Sequence, residues 1–467
     1  MATRAITQGE KQSVYELLAR ARAAMQTIEA YDQETVDRLC QAIAWATANE
    51  TTAARLSNMG VDESGIGSRE PTRRLKVLGI LRDALRQKSM GVIEEIPERG
   101  ITKYAKPAGV IAALVPVTNA VITPAGIAIY AIKCKDAVIF SPHPASKKTT
   151  NEVVRIMRAV LTKQGVPPDL LQCIEKPSIP LAEELMSACD LTIATGGQPM
   201  VRAAYSSGKP AYGVGAGNAT MVIDETADIA DAARVVRVSK TNDFGSGCSA
   251  DGNLVVETSI YKKFLEQLQQ EGGYLVTDQQ KKHLLSTYWD AEGRRTPATI
   301  ARPANVVAEA AGFSIPPEKT FLIVKEDQIG KKHLFSTEKL GTVITVFEYN
   351  GFEMALEMVR KIFEAGGKGH SCGIYSFDDD HVHRLALVAP VARMMVRQPQ
   401  SKSNAGTFTN GMPMTSSMGC GTWGGNITSE NISLKHYMNV TWVSRPIPED
   451  RPSDADLFGE FYNSEIF

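Results

Sequence analysis

The segment TNDFGSGCSADGN, residues 241–253, places one cysteine among unusually small side chains. A substrate and backbone amides can therefore approach the sulfur of Cys248 closely, and a nucleophilic thiolate needs such access. Most cysteines are buried packing residues, so the residue pattern alone leaves both interpretations open. The small neighbours that set this cysteine apart are Gly245, Ser246, Gly247 and Ser249.

The other six cysteines fit the packing interpretation, since they lie in helical patterns, beside apolar runs or next to glycines. The total of seven is odd, and no two form a Cys-x-x-Cys pair. Neither a disulfide framework nor a zinc site is therefore predicted. We expect no metal, and a reducing cytoplasmic environment.

The composition is that of an ordinary globular protein, with 467 residues, 43% apolar, 22% charged and a net charge of -1. This balance gives no electrostatic reason to expect nucleic acid or an anionic membrane as a partner. The uncharged run over residues 107–132 contains three prolines. It predicts a buried strand, a loop and a buried helix rather than a membrane span.

Short apolar runs alternate with amphipathic stretches from about residue 108 onward, which predicts parallel, doubly wound α/β architecture. The N-terminal 9–85 stretch predicts helices, and residues 92–106 predict a hairpin. The strand candidates before Cys248 are VIAALVP, DAVIFSP, DLLQCIE and LTIAT. Those after it are NLVVE, FLIVK, TVITVFEY, SCGIYSF and ARMMVRQ.

Two glycine clusters are candidates for holding a nucleotide phosphate. The cluster GVGAG, residues 213–217, leads into the strand-like ATMVIDE, so it favours a glycine-lined turn near a ligand over a phosphate loop. The second cluster runs from the strand LTIAT through Thr195, Gly196 and Gly197 into a predicted helix. The amides at such a helix start favour a phosphate, although an ordinary βα turn has the same pattern.

The chain resembles the aldehyde dehydrogenase superfamily, specifically its acylating, coenzyme A-dependent branch. The resemblance covers about residues 105–445 and rests on ordered motifs: VPVTNAVITP, AVIFSPHPASKKTT, LTIATGGQPMVRAAYSSGKPAYGVGAGN, SKTNDFGSGC, STEKLG, GGKGHSCGIY and GCGTWGGNITSEN. It implies an α/β fold with two Rossmann-type parallel-sheet domains, a small β element for oligomerisation, and a homodimer or homotetramer.

The resemblance also implies a division of the chain into three parts. Residues 1–235 would form N-terminal helices and the NAD(P)-binding domain, with the hairpin of about 92–106 in the oligomerisation element. Residues 236–425 would form the catalytic domain. Residues 426–467 would form the C-terminal return and the oligomerisation strand.

The resemblance implies that Cys248 is the nucleophile of a covalent mechanism. Its thiolate would attack an aldehyde, hydride would pass to nicotinamide, and a thioester would remain. Asn119 would stabilise the oxyanion together with the backbone amide of Cys248. An isolated loop asparagine more often bonds its own backbone, which is the alternative for Asn119.

Cofactor positions follow from the same resemblance. Ser141 and His143 would lie along the adenosine half of the cofactor, and Thr195, Gly196 and Gly197 would face its pyrophosphate or ribose. Glu338 would hold the nicotinamide ribose hydroxyls, although a solvated glutamate is its alternative. The resemblance favours NADP over NAD, with Lys147 or Lys148 available for a 2′-phosphate.

A missing carboxylate predicts the fate of the thioester. Hydrolytic relatives carry a glutamate that activates water in the stretch matching residues 212–218, whereas here no carboxylate lies between Asp190 and Asp224. Water is a far weaker acid than a thiol, so it depends more on a base. We therefore expect thiolysis by coenzyme A rather than hydrolysis.

A polar cluster late in the chain predicts the acyl group. Arg397, Ser401, Lys402 and Asn404 could clamp an anionic tail, a pattern that resembles the acylating sulfoacetaldehyde dehydrogenases. Succinate semialdehyde or short aliphatic aldehydes are the alternative substrates, and a solvated loop or a subunit interface is the alternative for the clamp. A hydrolytic dehydrogenase, a glutamyl phosphate reductase and a non-enzymatic nucleotide-binding protein are the rival classes.

Two features of the motifs stay open. Many branch members read Phe-Asp-Asn before the cysteine, whereas this chain reads Asn242, Asp243 and Phe244, which we interpret as a difference in the substrate pocket. His370 in GKGHSCG is interpreted equally well as a residue of the active-site mouth or as a structural histidine.

Overall fold

The computed structural model describes residues 4–70 and 74–462. Its helices are α1 (Gln8–Thr27), α2 (Gln33–Ala48), α3 (Glu50–Ser64), α4 (Arg74–Leu85), α5 (Ile122–Lys133), α6 (Lys147–Lys163), α7 (Ile179–Ala188), α8 (Gln198–Tyr205), α9 (Ile229–Thr241), α10 (Thr258–Gln270), α11 (Asp278–Tyr288), α12 (Ala304–Ala310), α13 (Phe352–Ala365), α14 (Asp379–Val388), α15 (Gln400–Ser403) and α16 (Asp454–Phe458).

The strands fall into three sheets. They are β1 (Gly91–Ile96), β2 (Ile101–Pro107), β3 (Val110–Val115), β4 (Ala137–Pro142), β5 (Leu171–Cys173), β6 (Leu191–Thr195), β7 (Ala211–Val214), β8 (Thr220–Ile223), β9 (Asn253–Glu257), β10 (Gly273–Leu275), β11 (Phe321–Lys325), β12 (Val343–Tyr349), β13 (Cys372–Tyr375), β14 (Met394–Val396) and β15 (Met438–Ser444).

The first sheet is parallel and has the order β5-β4-β3-β6-β7. Every residue of β3 and β4 is buried, because helices cover both faces and make the strands apolar throughout. The strand order reverses between β3 and β6, so a crevice opens at the carboxyl ends of these two strands. A ligand of such a sheet binds at that switch point.

The second sheet is also parallel, with the order β10-β11-β12-β9-β8-β13-β14. Separate apolar clusters, one centred on Leu254 and Val346 and the other on Val255 and Phe347, fill its two faces. The two parallel sheets confirm the predicted fold class. The predicted strand segments coincide with β3 to β6, β9 and β11 to β14.

The third sheet is small and antiparallel, with the order β1-β2-β15. The predicted hairpin forms β1 and β2, and Gly100 turns the chain between them with a φ of 63°. The C-terminal run forms β15, which pairs with β2 of its own chain. Val440 and Trp442 of β15 are exposed, so this strand presents an unpaired edge and apolar side chains.

The chain leaves the first sheet earlier than the predicted boundary after residue 235. β7 ends at Val214 and β8, the first strand of the second sheet, begins at Thr220, because the segment ATMVID pairs with β9 and β13. The chain also returns earlier than residue 426, since Met414 already packs in the core of the first sheet.

The uncharged run over residues 107–132 contains all of β3, a short turn and most of α5, as the positions of its prolines predict. α5 is buried along its whole length, which explains its uninterrupted apolar character. Among the helices in the described part of the chain, none combines the length and the apolar character that a membrane span requires.

Candidate functional site

The site residues lie at the amino ends of the strands of the second sheet. Because β8, β9 and β13 are parallel and in register, the segments that precede them end side by side. Cys248 precedes β9, Gly217 precedes β8, and His370 precedes β13. The sheet therefore brings together three motifs that are far apart in the sequence.

The loop of Cys248 begins with a strained turn. Asp243 and Phe244 have φ values of 51° and 52°, a left-handed conformation that residues other than glycine adopt rarely. Gly245 follows with a φ of 69°, and a side chain there would meet the carbonyl oxygen of Gly341 at 2.4 Å. This sequence of turns ends α9 and directs the following residues into the cleft between the sheets.

His370 is the hydrogen-bond partner of the cysteine. Its Nε2 atom lies 2.9 Å from Sγ of Cys248, and its Nδ1 atom lies 2.9 Å from Oγ of Ser371. The imidazole is fully buried, so these two contacts set its orientation. The pair has the geometry of a nucleophile beside a general base, so the structure places His370 at the candidate site.

Both members of the pair are held neutral. Desolvation by the surrounding protein, with the charge of Glu338 adding to it, raises the pKa of Cys248 to about 12. Burial, with the nearby Arg393 guanidinium adding to it, lowers the pKa of His370 to about 3. At neutral pH the resting state is a thiol beside a neutral imidazole, and the imidazole can accept the thiol proton when the sulfur attacks.

Arg393 fixes the backbone of the segment that contains His370. Its guanidinium donates to the carbonyl oxygen of His370 at 3.0 Å and to that of Ser429 at 3.1 Å, and it also donates to the carbonyl of Gly419. The side chain is 5% exposed. Sequence reasoning missed this role, because a strand segment with arginines near both ends does not reveal which end faces the site.

Asn119 ends a 3₁₀ turn, Val117–Asn119, between β3 and α5. Within the described residues, its side-chain amide has only a long contact, 3.5 Å, with Oγ1 of Thr118. The alternative of an asparagine that bonds its own backbone is therefore absent there. A small cavity borders both Thr118 and Ser246, so the turn that carries Asn119 and the loop that carries Cys248 adjoin the same space.

Gly217 packs directly against the nucleophile loop. A Cβ atom at this position would lie 2.1 Å from the carbonyl oxygen of Cys248 and 2.9 Å from the imidazole of His370, so only glycine fits. The amide of Gly217 donates to Oε1 of Glu338 at 3.1 Å, and Arg295 donates to Oε2 at 2.7 Å. Glu338 is therefore a half-buried, paired carboxylate rather than a solvated one.

The residues with expected cofactor roles gather at the carboxyl edge of the first sheet. Ser141 lies near the end of β4, followed by His143, whose Nδ1 accepts from the amide of Ala145 at 3.1 Å. Thr195 ends β6, and its hydroxyl lies 2.7 Å from that of Ser417. Gly196 and Gly197 then open α8, with Gly197 as its N-cap. These positions flank the switch point between β3 and β6.

The expected clamp residues do not gather at the site. Arg397 lies beyond the carboxyl end of β14, at the opposite end of the sheet from His370, where it donates to the carbonyl of Ser376 and stacks 4.5 Å over Phe377. Ser401 and Asn404 lie in and just after α15, and Asn404 donates to the carbonyl of Gln400 at 3.1 Å. Lys402 is exposed.

Two buried lysines donate hydrogen bonds to backbone carbonyls shortly after Cys248. Lys240 donates to the carbonyl of Asp251 at 2.9 Å, and Lys339 donates to that of Gly252 at 2.9 Å. Burial lowers the pKa of Lys240 to about 7 and raises that of the Asp251 carboxyl to about 6. Gln400 donates to Asp251 at 2.6 Å, so α15 braces the loop rather than lining an anion clamp.

Comparison with known proteins agrees with this geometry. The model of the aldehyde dehydrogenase family matches residues 2–289. The chain belongs to the aldehyde dehydrogenase family. It is 44% identical to a sulfoacetaldehyde dehydrogenase of Acholeplasma sp, over 95% of this chain and 93% of that one. It is 34% identical to an acetylating succinate-semialdehyde dehydrogenase of Clostridium kluyveri, over 96% and 99% of the two chains.

Two further relatives agree with the acylating branch. An acylating sulfoacetaldehyde dehydrogenase of Bilophila wadsworthia is 40% identical, over 96% of this chain and 98% of that one. The solved structure of an acetylating aldehyde dehydrogenase from Geobacillus thermoglucosidasius matches with a TM-score of 0.91 and 33% identity, over 95% and 99% of the chains. The resemblance expected from the ordered motifs is confirmed.

The neutral pair predicts a particular reactivity of the free enzyme. Because the thiol pKa is raised, the rate of Cys248 alkylation by iodoacetamide should rise about tenfold per pH unit from pH 7 to pH 10. Mass spectrometry of the Cys248 peptide measures it, with the Cys173 peptide as an internal control. A rate that is already constant near pH 7 would indicate a preformed thiolate–imidazolium pair and contradict the prediction.

The close approach of Gly217 predicts a sensitive position. Gly217→Ala should lower kcat at least a hundredfold, because the new methyl group displaces the carbonyl of Cys248 and the imidazole of His370. Gly215→Ala is the matched control in the same turn, since its methyl group would meet only the movable side-chain amide of Gln198 within 3 Å. Equal rates for the two variants would show that the turn does not position the nucleophile.

Proposed function

We propose that the protein is a coenzyme A-acylating aldehyde dehydrogenase that interconverts sulfoacetaldehyde and sulfoacetyl-CoA with NAD(P). The observation that carries the proposal is the Cys248–His370 pair, against which a glycine turn without any carboxylate is packed. The names of the relatives at 44% and 40% identity support the substrate. Succinate semialdehyde is the second candidate, supported by the relative at 34% identity.

Acylation begins with a proton transfer inside the pair. As Sγ of Cys248 bonds to the aldehyde carbon, the thiol proton passes to Nε2 of His370, and the carbonyl oxygen becomes an oxyanion. The Asn119 amide and the Cys248 backbone N–H stabilise that oxyanion. A bound nicotinamide supplies the hydride acceptor, and a thioester on Cys248 remains. His370 then releases its proton to solvent.

Thiolysis uses the same base a second time. The neutral His370 accepts the proton of the coenzyme A thiol as that sulfur attacks the thioester carbon. The bond between the carbon and Sγ of Cys248 then breaks, acyl-CoA leaves, and the proton returns to the cysteine. In total, one aldehyde, one thiol and one oxidised cofactor yield one thioester, one reduced cofactor and one proton.

Water competes poorly for this thioester. Glu338 is the carboxylate whose charge acts on Cys248, but both of its oxygens are engaged, one by Gly217 and one by Arg295. The remaining base, His370, has a pKa lowered to about 3, which makes it a weak base. A weak base suffices for a thiol far better than for water, whose pKa is about 15.7.

The first sheet fits a dinucleotide. Its switch-point crevice, the glycine pair that opens α8 and the hydroxyl of Thr195 provide the small residues and donors that a pyrophosphate needs. Ser141 and His143 would accompany the adenosine half, and Glu338 the nicotinamide ribose. We further propose a homodimer or homotetramer, because a partner subunit would cover the edge of β15 and its exposed Trp442. We also propose a cytoplasmic location.

We propose a preference for NADP from the residues that lie between β4 and the start of α6. The segment SPHPASKK contains no carboxylate that would hold a ribose 2′-hydroxyl. The first amides of α6 are already used, since Glu63 accepts from Lys148 and Thr149 at 2.7 Å each. A 2′-phosphate would therefore need a side-chain cation, and Lys147 begins α6 at this point.

Dependence on coenzyme A tests the proposed reaction. Purified enzyme with sulfoacetaldehyde and NADP should form NADPH at least a hundredfold faster with coenzyme A than without it, because water lacks an adequate base. Succinate semialdehyde and propionaldehyde serve as comparison substrates, and Cys248→Ala as the inactive control. Full-rate oxidation without coenzyme A would refute the acylating proposal, and equal kcat/KM values for the three aldehydes would refute the substrate.

The cofactor preference has its own test. Lys147→Ala should raise the KM for NADP about tenfold, the size of one charge-assisted contact, and leave the KM for NAD within about twofold. Lys163→Ala, at the exposed far end of the same helix, is the matched control. Equal changes in the KM for NADP and the KM for NAD would show that Lys147 does not contact the 2′-phosphate.

A further inference from the structure

A small cavity lies beside the loop that carries Cys248. It is enclosed by α3, by residues 66–68, by the turn between β3 and α5, and by Ser246, two residues before Cys248. Its volume is about 20 Å³, so it is small. The cavity therefore accepts a compact group and excludes a long chain.

Three hydroxyl groups on the wall of this cavity can each donate a hydrogen bond to a ligand. Ser57 lies on α3, Ser68 on the adjoining loop and Thr118 beside Asn119. Among the described residues, none accepts a hydrogen bond from these hydroxyls, and Ser57 is only 9% exposed. By contrast, Ser64 donates to the carbonyl of Gly60 at 2.6 Å, and Ser246 donates to Asp243.

The start of α5 adds positive potential to the same wall. Val121, its N-cap residue, lines the cavity and supplies no capping side chain. The helix has 12 residues and is buried along its length, so solvent screens its dipole little. Of its first three residues, Ile122 and Thr123 have backbone N–H groups and Pro124 has none, and such amides at a helix start attract an anion. The hydroxyls and the helix start thus point to one ligand chemistry.

We infer that this cavity receives the charged head of the acyl group, an oxyanion with several oxygens, through Ser57, Ser68, Thr118 and the start of α5. The inference rests on the proposed function and deepens it. A sulfonate one carbon from the aldehyde suits the three donors, because each of its three oxygens can accept one hydrogen bond from a hydroxyl. Arg397 and Lys402 then take no part in selecting the substrate.

Asp243 ties the two sides of the cavity together. Its Oδ1 atom accepts from the amide of Ser68 at 2.6 Å, and its Oδ2 atom accepts from the hydroxyl of Ser246. The loop that carries a head-group donor is thereby fixed to the loop that carries the nucleophile. The altered order of Asn242, Asp243 and Phe244 in this chain keeps that aspartate at the centre of the strained turn.

Substrate discrimination tests the inference. Ser57→Ala and Ser68→Ala should each lower kcat/KM for sulfoacetaldehyde about ten- to a hundredfold, the effect of one hydrogen bond to a charged group, and change that for acetaldehyde less than threefold. Ser13→Ala is the control, since that α1 hydroxyl donates to the carbonyl of Glu10. Equal losses for both aldehydes, or a selective loss in Arg397→Met instead, would overturn the inference.

A second measurement does not depend on turnover. Ethanesulfonate carries the head group without the aldehyde, so it should protect Cys248 of the wild-type enzyme from iodoacetamide, and Ser57→Ala should weaken this protection at least tenfold. Lack of protection in the wild type would overturn the inference. If protection is found but sulfoacetaldehyde is not turned over, the head-group site stands and the proposed substrate fails.

Discussion

The short connection between the two parallel sheets is the constraint on which the site depends. β7 ends at Val214 and β8 begins at Thr220, so the carboxyl edge of the first sheet must face the amino edge of the second. A chain this short leaves no room for a side chain at Gly217, where the backbone touches the carbonyl of Cys248. The switch-point crevice of the first sheet and Cys248 are neighbours for that reason.

The same crowding sets the protonation of the site. A cysteine and a histidine enclosed in this cleft lose the hydration that charged forms require, so both stay neutral and share one proton. Three buried basic side chains lie nearby and hold backbone atoms: Arg393 holds the carbonyl of His370, and Lys240 and Lys339, whose pKa values are lowered by burial, hold the carbonyls after Cys248. These side chains fix geometry, and the reacting pair keeps a mobile proton.

Much of the fold follows from local patterns, because apolar runs of strand length between amphipathic helices have few other solutions. The turn at residues 213–217 leads from β7 into β8 and not into a helix, which agrees with a glycine-lined turn rather than a phosphate loop. The role of His370 and the remoteness of Arg397 could not be predicted from the residue pattern. Both depend on which end of a short strand faces the cleft, and β14 has only three residues.

The strand ends also explain how one small site serves three reactants. The proposed cofactor edge is formed by the carboxyl ends of β4 and β6, and Cys248, the proposed nucleophile, precedes the amino end of β9. The remaining side, closed by α3 and the start of α5, has hydroxyl and amide donors, and the described residues that line it include no lysine or arginine. Neutral donors would bind a compact oxyanion without adding a further cation beside Cys248, where it would favour the thiolate. A substrate anion can therefore be selected while the thiol–imidazole pair stays neutral until the aldehyde arrives.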